Sequence, residues 1–347
     1  MIQKKVVHIV PRYTPSLGGV ETHVSAVNAQ LVQRGYEVVV LTTQHEPQLL
    51  EEEIVAGVQV YRLPFAAINK KLQTWMWLWN KRTIITDKQT VVHVHDVAWW
   101  LLPFVFILYK KFYITFHGWE GVYPVPFFNK LQRYLFGQCA QKKIHVGAYI
   151  QKFYWDTPNL VVYGGTTCKN TVQKHKKNKL GATLHCVFLG RLEKENEIEK
   201  YFELLTELKL KGLTIAMTWV GDGAFRSRCE EFGLVTGMVT NPTKYIADAN
   251  IVFAASYLSL LEAQAQSKIV VSLYTHPLKK SYLESYPGRA ALLIANSPVT
   301  VAAELTALIS DSERMYTLEQ DAYTFASKMT WKKLTEQYIE LWNSDVR

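Results

Sequence analysis
A chain of 347 residues, 48% hydrophobic and 20% charged, has room for two domains with sizeable cores. Its formal charge of +9 favours anionic partners, and without a recognisable nucleic-acid module it points to nucleotide phosphates or acidic lipid surfaces rather than nucleic acid. Four scattered cysteines, Cys139, Cys168, Cys186 and Cys229, form neither a CxxC pair nor a disulfide framework, which suits a reducing cytosol. From the N-terminus, residues 4–10 read as a strand, PRYTPSLGGVE as the loop after it, and 22–35 as a helix with Val24, Val27, Leu31 and Val32 on one side. Strands follow at 36–43, 58–63, 91–94 and 113–116, and less clearly within 143–150. Such strand–helix alternation argues a doubly wound α/β domain. Residues 97–109 are an apolar run too short for a membrane span of about 20 residues. They are expected to form a buried helix packed on a sheet. VVHIV is likewise too short and too soon interrupted for a secretory leader.

The alternation breaks at 166. Residues 166–182 hold Lys169, Lys174, Lys176, Lys177 and Lys179 and no acid, as an exposed linker or loop would. A second series of apolar strands and helices then runs to about 330. The expected organisation is therefore two Rossmann-like domains, 1–165 and 166–330, facing across a cleft, followed by a helical tail, 331–347.

The most informative stretch is AASYLSLLEAQAQSKIVVSL, residues 254–273. Two short apolar runs flank a segment of helix formers, which gives a strand–helix–strand unit. Ser259 is a candidate N-cap, with Glu262 at capping-box spacing. The turn would lie at the carboxyl edge of a sheet, where such folds bind ligands, and a helix start there suits a phosphate.

This stretch is similar to the LEAMAxGKPVV segment of family 4 glycosyltransferases, which have the GT-B fold. GGVE, HVHD, FHGWEG, GR, GDG and LEAQA occur along the chain in that family's order. The resemblance implies a retaining, metal-independent transferase that uses a nucleotide-diphosphate sugar and no cofactor. It implies that Glu262 hydrogen-bonds the donor ribose, while Ser259 and Leu260 lie near the diphosphate. Gly18 and Gly19 would approach the donor phosphate, with Glu21 beside them on the acceptor side. His117 would contact the donor sugar or reaction centre, and Trp119 and Glu120 would line the acceptor side. Gly221, Asp222 and Gly223 would lie near the base. Arg191 would neutralise the departing diphosphate, as its planar fork suits phosphate oxygens. The tail helix would return to the first domain, and Tyr163-Gly164-Gly165 would serve as a hinge.

Two family positions differ. A second acidic residue, eight positions before Glu262, is Ala254 here, and the lysine expected five residues after Arg191 is Asn196. These differences motivate a second reading, a non-catalytic nucleotide-sugar-binding relative or partner subunit. A GT-B sugar-nucleotide epimerase is a third. His93 and His95 point to one face of a strand, but no third metal ligand stands at a recognisable spacing. Core or supporting roles are expected for them and no metal is called for. Finally, NKKLQTWMWLWNKR, residues 69–82, combines Trp75 and Trp79 with flanking cations. It fits an interfacial helix on an anionic membrane or a helix half-buried on its own domain. The expected setting is cytoplasmic, with peripheral attachment to the inner face of the cell membrane where 69–82 is interfacial, and a glycan or lipid-linked acceptor.

Overall fold
Runs such as VVVL at 38–41 carry no polar alternation because their strands are covered on both faces. In the computed structural model, which describes residues 5–68, 70–167 and 183–344, these runs build two parallel sheets. The chain divides into two compact units, Met1–Val162 with Trp331–Arg347, and Tyr163–Thr330. From residue 168 onward, the lysine-rich stretch lies outside the described residues.

The first unit contains β1 (Lys5–Ile9), β2 (Glu37–Thr43), β3 (Glu52–Val55), β4 (Val58–Leu63), β5 (Thr90–His95), β6 (Phe112–Phe116), β7 (Lys142–Val146) and β8 (Leu160–Val162). Their order is β3-β4-β2-β1-β5-β6-β7-β8, and only β3 runs antiparallel to its neighbour. Its helices are α1 (Gly19–Gln33), α2 (Lys71–Asn80), α3 (Arg82–Thr86), α4 (Phe127–Cys139) and α5 (Tyr149–Tyr154). The strand order reverses direction between β1 and β5, so the carboxyl ends of those strands frame the ligand crevice of a doubly wound sheet.

The second unit contains β9 (Thr183–Leu189), β10 (Thr214–Val220), β11 (Leu234–Gly237), β12 (Ile251–Ala254), β13 (Ile269–Leu273) and β14 (Leu292–Ala295), in the order β11-β10-β9-β12-β13-β14. Here the reversal falls between β9 and β12. Its helices are α6 (Ile198–Leu210), α7 (Arg226–Glu230), α8 (Thr243–Asp248), α9 (Tyr257–Gln264), α10 (Pro277–Glu284), α11 (Pro298–Ser310) and α12 (Ser312–Ala326). The tail helix, α13 (Trp331–Asn343), belongs to the first unit, where it packs on α1.

One expected element is different. Residues 97–109 are not a buried α-helix. Ala98–Phe104 is a 3₁₀ segment with Pro103 inside it that leaves Leu102 exposed, followed by turns that expose Ile107, Tyr109 and Phe106, the last 94% accessible. Proline removes an N–H and clashes with the preceding turn, so a regular helix does not propagate through it.

Candidate active site
In the first unit the β1–β5 register sets His8 opposite His93, and His95 follows two residues on, on the same face. α1 and α13 cover that face with His23, Tyr338 and Trp342. Three imidazoles form a chain. His8 Nδ1 is 2.9 Å from His95 Nε2, and His95 Nδ1 is 2.8 Å from His117 Nε2. His93 Nε2 meets the Thr115 hydroxyl at 2.7 Å, and His23 Nε2 meets the Tyr338 hydroxyl at 2.9 Å. Burial disfavours the charged imidazolium, so all five rings are held well below the ordinary histidine range, with His8 and His117 at about 3. They are neutral at physiological pH.

His8 is the third imidazole that spacing alone could not supply. His8, His93 and His95 bring ring nitrogens within 4.8 Å of one another. Yet the His93 and His95 rings are stacked, 4.5 Å apart and 24° from parallel. In-plane lone pairs on stacked rings do not converge on one ion, so the cluster is a hydrogen-bonded imidazole core. His117 stands at its edge, half-buried at the end of β6, with its backbone N–H donating to Asp96 Oδ1 at 3.0 Å.

Around this end lie the other expected residues. Gly18 is the N-cap of α1 and Gly19 its first residue, so the helix starts three residues earlier than the sequence reading places it. A Cβ on Gly18 would collide with the Glu21 carboxylate. Glu21 thus folds back over the helix start and offers the dipole an internal anion. Trp119 is half-buried. Glu120 is tied into a structural cluster that local sequence gave no sign of. Its carboxylate accepts from Arg133 at 2.8 Å and from the Tyr154 hydroxyl, while Arg133 donates to Gly118 O at 2.7 Å and lies 3.9 Å over the Tyr154 ring.

In the second unit, Gly190-Arg191 closes β9 at the reversal point. The Arg191 side chain is 64% accessible and pairs with Glu195 at 2.9 Å. Asn196 is turned inward, its amide donating to Arg191 O at 2.8 Å. It steadies the loop and does not replace a cation. Gly221 and Gly223 each adopt the glycine region (φ 156° and 154°). A Cβ on either would strike the backbone of the Gly190–Leu192 loop, so glycine is required for the two loops to touch. Asp222 pairs with Arg226 at 2.7 Å.

After β12 the chain enters α9 across Ala255 and Ser256 alone. The N-cap is Ser256, not Ser259. Ser259 is the third residue of the helix, 2.9 Å from the Ser256 hydroxyl, and Leu260 is fully buried, so only its backbone is available to a ligand. The capping-box reading of Glu262 is therefore set aside. Glu262 is mostly buried, has no hydrogen bond or ion pair among the described residues, and is raised to about 7 by burial. Ala254 ends β12 inside the core.

Residues 70–82 are partly buried and partly exposed. The Trp75 indole N–H donates to Trp99 O at 3.2 Å. Trp79 stacks on Phe104 yet stays exposed with Leu72 and Met76. Further exposed rings stand at Phe106, Phe127 and Phe128. Residues 64–155 hold twelve lysines and arginines against three acids, a surplus equal to the whole chain's +9. No described helix is long and apolar enough to cross a membrane.

Comparison with known proteins agrees with this architecture. The Glycosyltransferase Family 4 model matches residues 17–149. A glycosyltransferase from Rickettsia africae is similar over 100% of both chains, at 15% identity and a TM-score of 0.74. Sucrose-phosphate synthase from Thermosynechococcus elongatus is similar over 98% of this chain and 99% of its own, at 14% identity and a TM-score of 0.74. HepE from Anabaena, solved with UDP, is similar over 98% of this chain and 100% of its own, at 14% identity and a TM-score of 0.71. No curated protein sequence gives a significant match. Residues 17–149 thus match the Glycosyltransferase Family 4 model, and the chain as a whole has the GT-B fold.

Proposed function
We propose that this chain is a glycosyltransferase that moves a sugar from a nucleotide-diphosphate donor to a glycan or lipid-linked acceptor, with retention and without a metal. The observation that carries the reading is the reversal point of the second unit. An accessible guanidinium, Arg191, and a buried carboxyl without a partner, Glu262, lie on the two segments that follow the strands framing it. A carboxylate there accepts hydrogen bonds from ribose hydroxyls, and a guanidinium meets phosphate oxygens. As the sugar–phosphate bond breaks, charge develops on the diphosphate, and a fixed cation stabilises that state most. In the first unit, neutral His117 can donate or accept one hydrogen bond to a sugar hydroxyl without adding charge. HepE is solved with UDP and with UDP-glucose, which supports a nucleotide-sugar donor. The test is release of nucleoside diphosphate from a sugar donor when an acceptor is present.

A second reading is a nucleotide-sugar-binding relative without turnover. Ala254 buried in its strand and Asn196 bonded to its own loop motivate it. Binding without release of nucleotide would identify it.

The setting that fits the exposed rings and the basic surplus of residues 64–155 is the cytoplasmic surface of an anionic membrane. Rings with cations around them suit the headgroup region. The chain is expected to sediment with phosphatidylglycerol vesicles and much less with phosphatidylcholine ones. Trp79→Ser combined with Phe106→Ser should reduce the former about tenfold. Unchanged sedimentation removes the membrane from the account.

A further inference from the structure
We propose that Lys279 is the second cation of the anion site in the second unit, meeting beside Arg191 the diphosphate charge that Asn196 leaves unmet. The proposal rests on the donor-site reading above. Lys279 is the third residue of α10, which follows β13, the neighbour of β12 at the reversal point. Its side chain is buried, with the residue only 2% accessible. Nζ donates to Ala255 O at 2.8 Å, the carbonyl just past the end of β12, and lies 5.0 Å from the Tyr282 ring centroid. It pairs with no carboxylate among the described residues.

An ammonium has three donors, and one carbonyl with one ring face leaves it short of acceptors. A buried ammonium in direct contact with no carboxylate is costly, and its unmet donors are explained if an anion completes them. The ionisable groups around it are Glu197, Glu195 and Arg191, together with His276 and Tyr282. Glu197 is already engaged, accepting from the Thr275 hydroxyl at 2.9 Å. Burial lowers the Lys279 ammonium to about 8, so it is mostly charged at neutral pH and loses its proton just above.

Calorimetric titration with inorganic pyrophosphate and with UDP tests this, using the full chain and the variants Lys279→Met and Lys279→Arg. Lys279→Met should weaken both ligands at least tenfold without lowering the melting temperature, because it removes a buried charge. Lys279→Arg should recover part of the loss. Parent affinity should fall as pH rises from 7 to 9, and that slope should be smaller in Lys279→Met, where Glu262 is the titrating group that remains. Equal affinity of parent and Lys279→Met, or a flat parent profile over that range, overturns the proposal while leaving the donor site intact. If the parent binds neither ligand, both readings fall together.

Discussion
Acidification from pH 7 to about 4.5 should unfold the first unit while leaving the second folded. The cause is the imidazole core. Unfolded histidines take up protons near 6.5, whereas His8 and His117 resist protonation down to about 3 when folded, and His23, His93 and His95 are lowered as well. A group depressed on folding contributes stability above its unfolded pKa and loses it as pH falls toward the folded value. Each such ring tilts the balance by about 1.4 kcal/mol per pH unit, so His8 and His117 alone remove about 5 kcal/mol between pH 6.5 and 4.5. That is comparable to the whole stability of a domain, about 5–15 kcal/mol. One carboxyl, Asp96, raised to about 6, runs the other way. Near-ultraviolet circular dichroism follows the loss, since Trp342 packs against His8 and His93. His93→Phe should move the midpoint to lower pH. A first unit that stays folded at pH 4 in the parent contradicts the buried neutral cluster.

Glu262→Gln should stabilise the second unit at pH 8 and weaken nucleotide binding. Glu262 is raised from 4.5 to about 7 by burial. A carboxyl raised on folding favours the fold below its unfolded pKa and loses that advantage as pH climbs through 7. At pH 8 the ionised form costs about 3 kcal/mol. The amide cannot ionise, so the variant should melt several degrees higher at pH 8, with little gain at pH 5. Replacing the carboxylate also weakens the hydroxyl contacts of a bound ribose, which should reduce affinity about 10-fold to 100-fold. Higher melting with unchanged affinity would make Glu262 a buried acid with no ligand.

Most of the strand–helix alternation was legible because each parallel strand declares itself by a short apolar run. The glycine-bearing loops were legible because close backbone approach admits only glycine at Gly221 and Gly223. What escaped depends on partners far apart in sequence. His8 joins His93 and His95 only through the β1–β5 register, and Lys279 reaches Ala255 only because β12 and β13 are neighbours. No periodicity within either segment encodes those meetings. Sequence alone does not separate Ser259 from Ser256 as the cap, because serine suits both positions. The strand ends so close to the helix that Ser256 takes the role. Residues 97–109 misled for the opposite reason. Hydrophobicity alone suggests burial throughout, but Pro103 breaks the helix, and while Trp100 and Phe104 are buried, Phe106 and Tyr109 remain outside.

Release of nucleoside diphosphate from a panel of nucleotide sugars, with lipid-linked and glycan acceptors and without added metal, tests the central claim most directly. The parent is expected to release nucleotide from one donor only when its acceptor is present. Arg191→Ala should lower that rate at least a hundredfold, because it removes charge-assisted hydrogen bonds to the leaving group, while its fold is retained. Binding of nucleotide with no release from any donor, by parent and variant alike, would contradict a transferase and leave a nucleotide-sugar-binding relative.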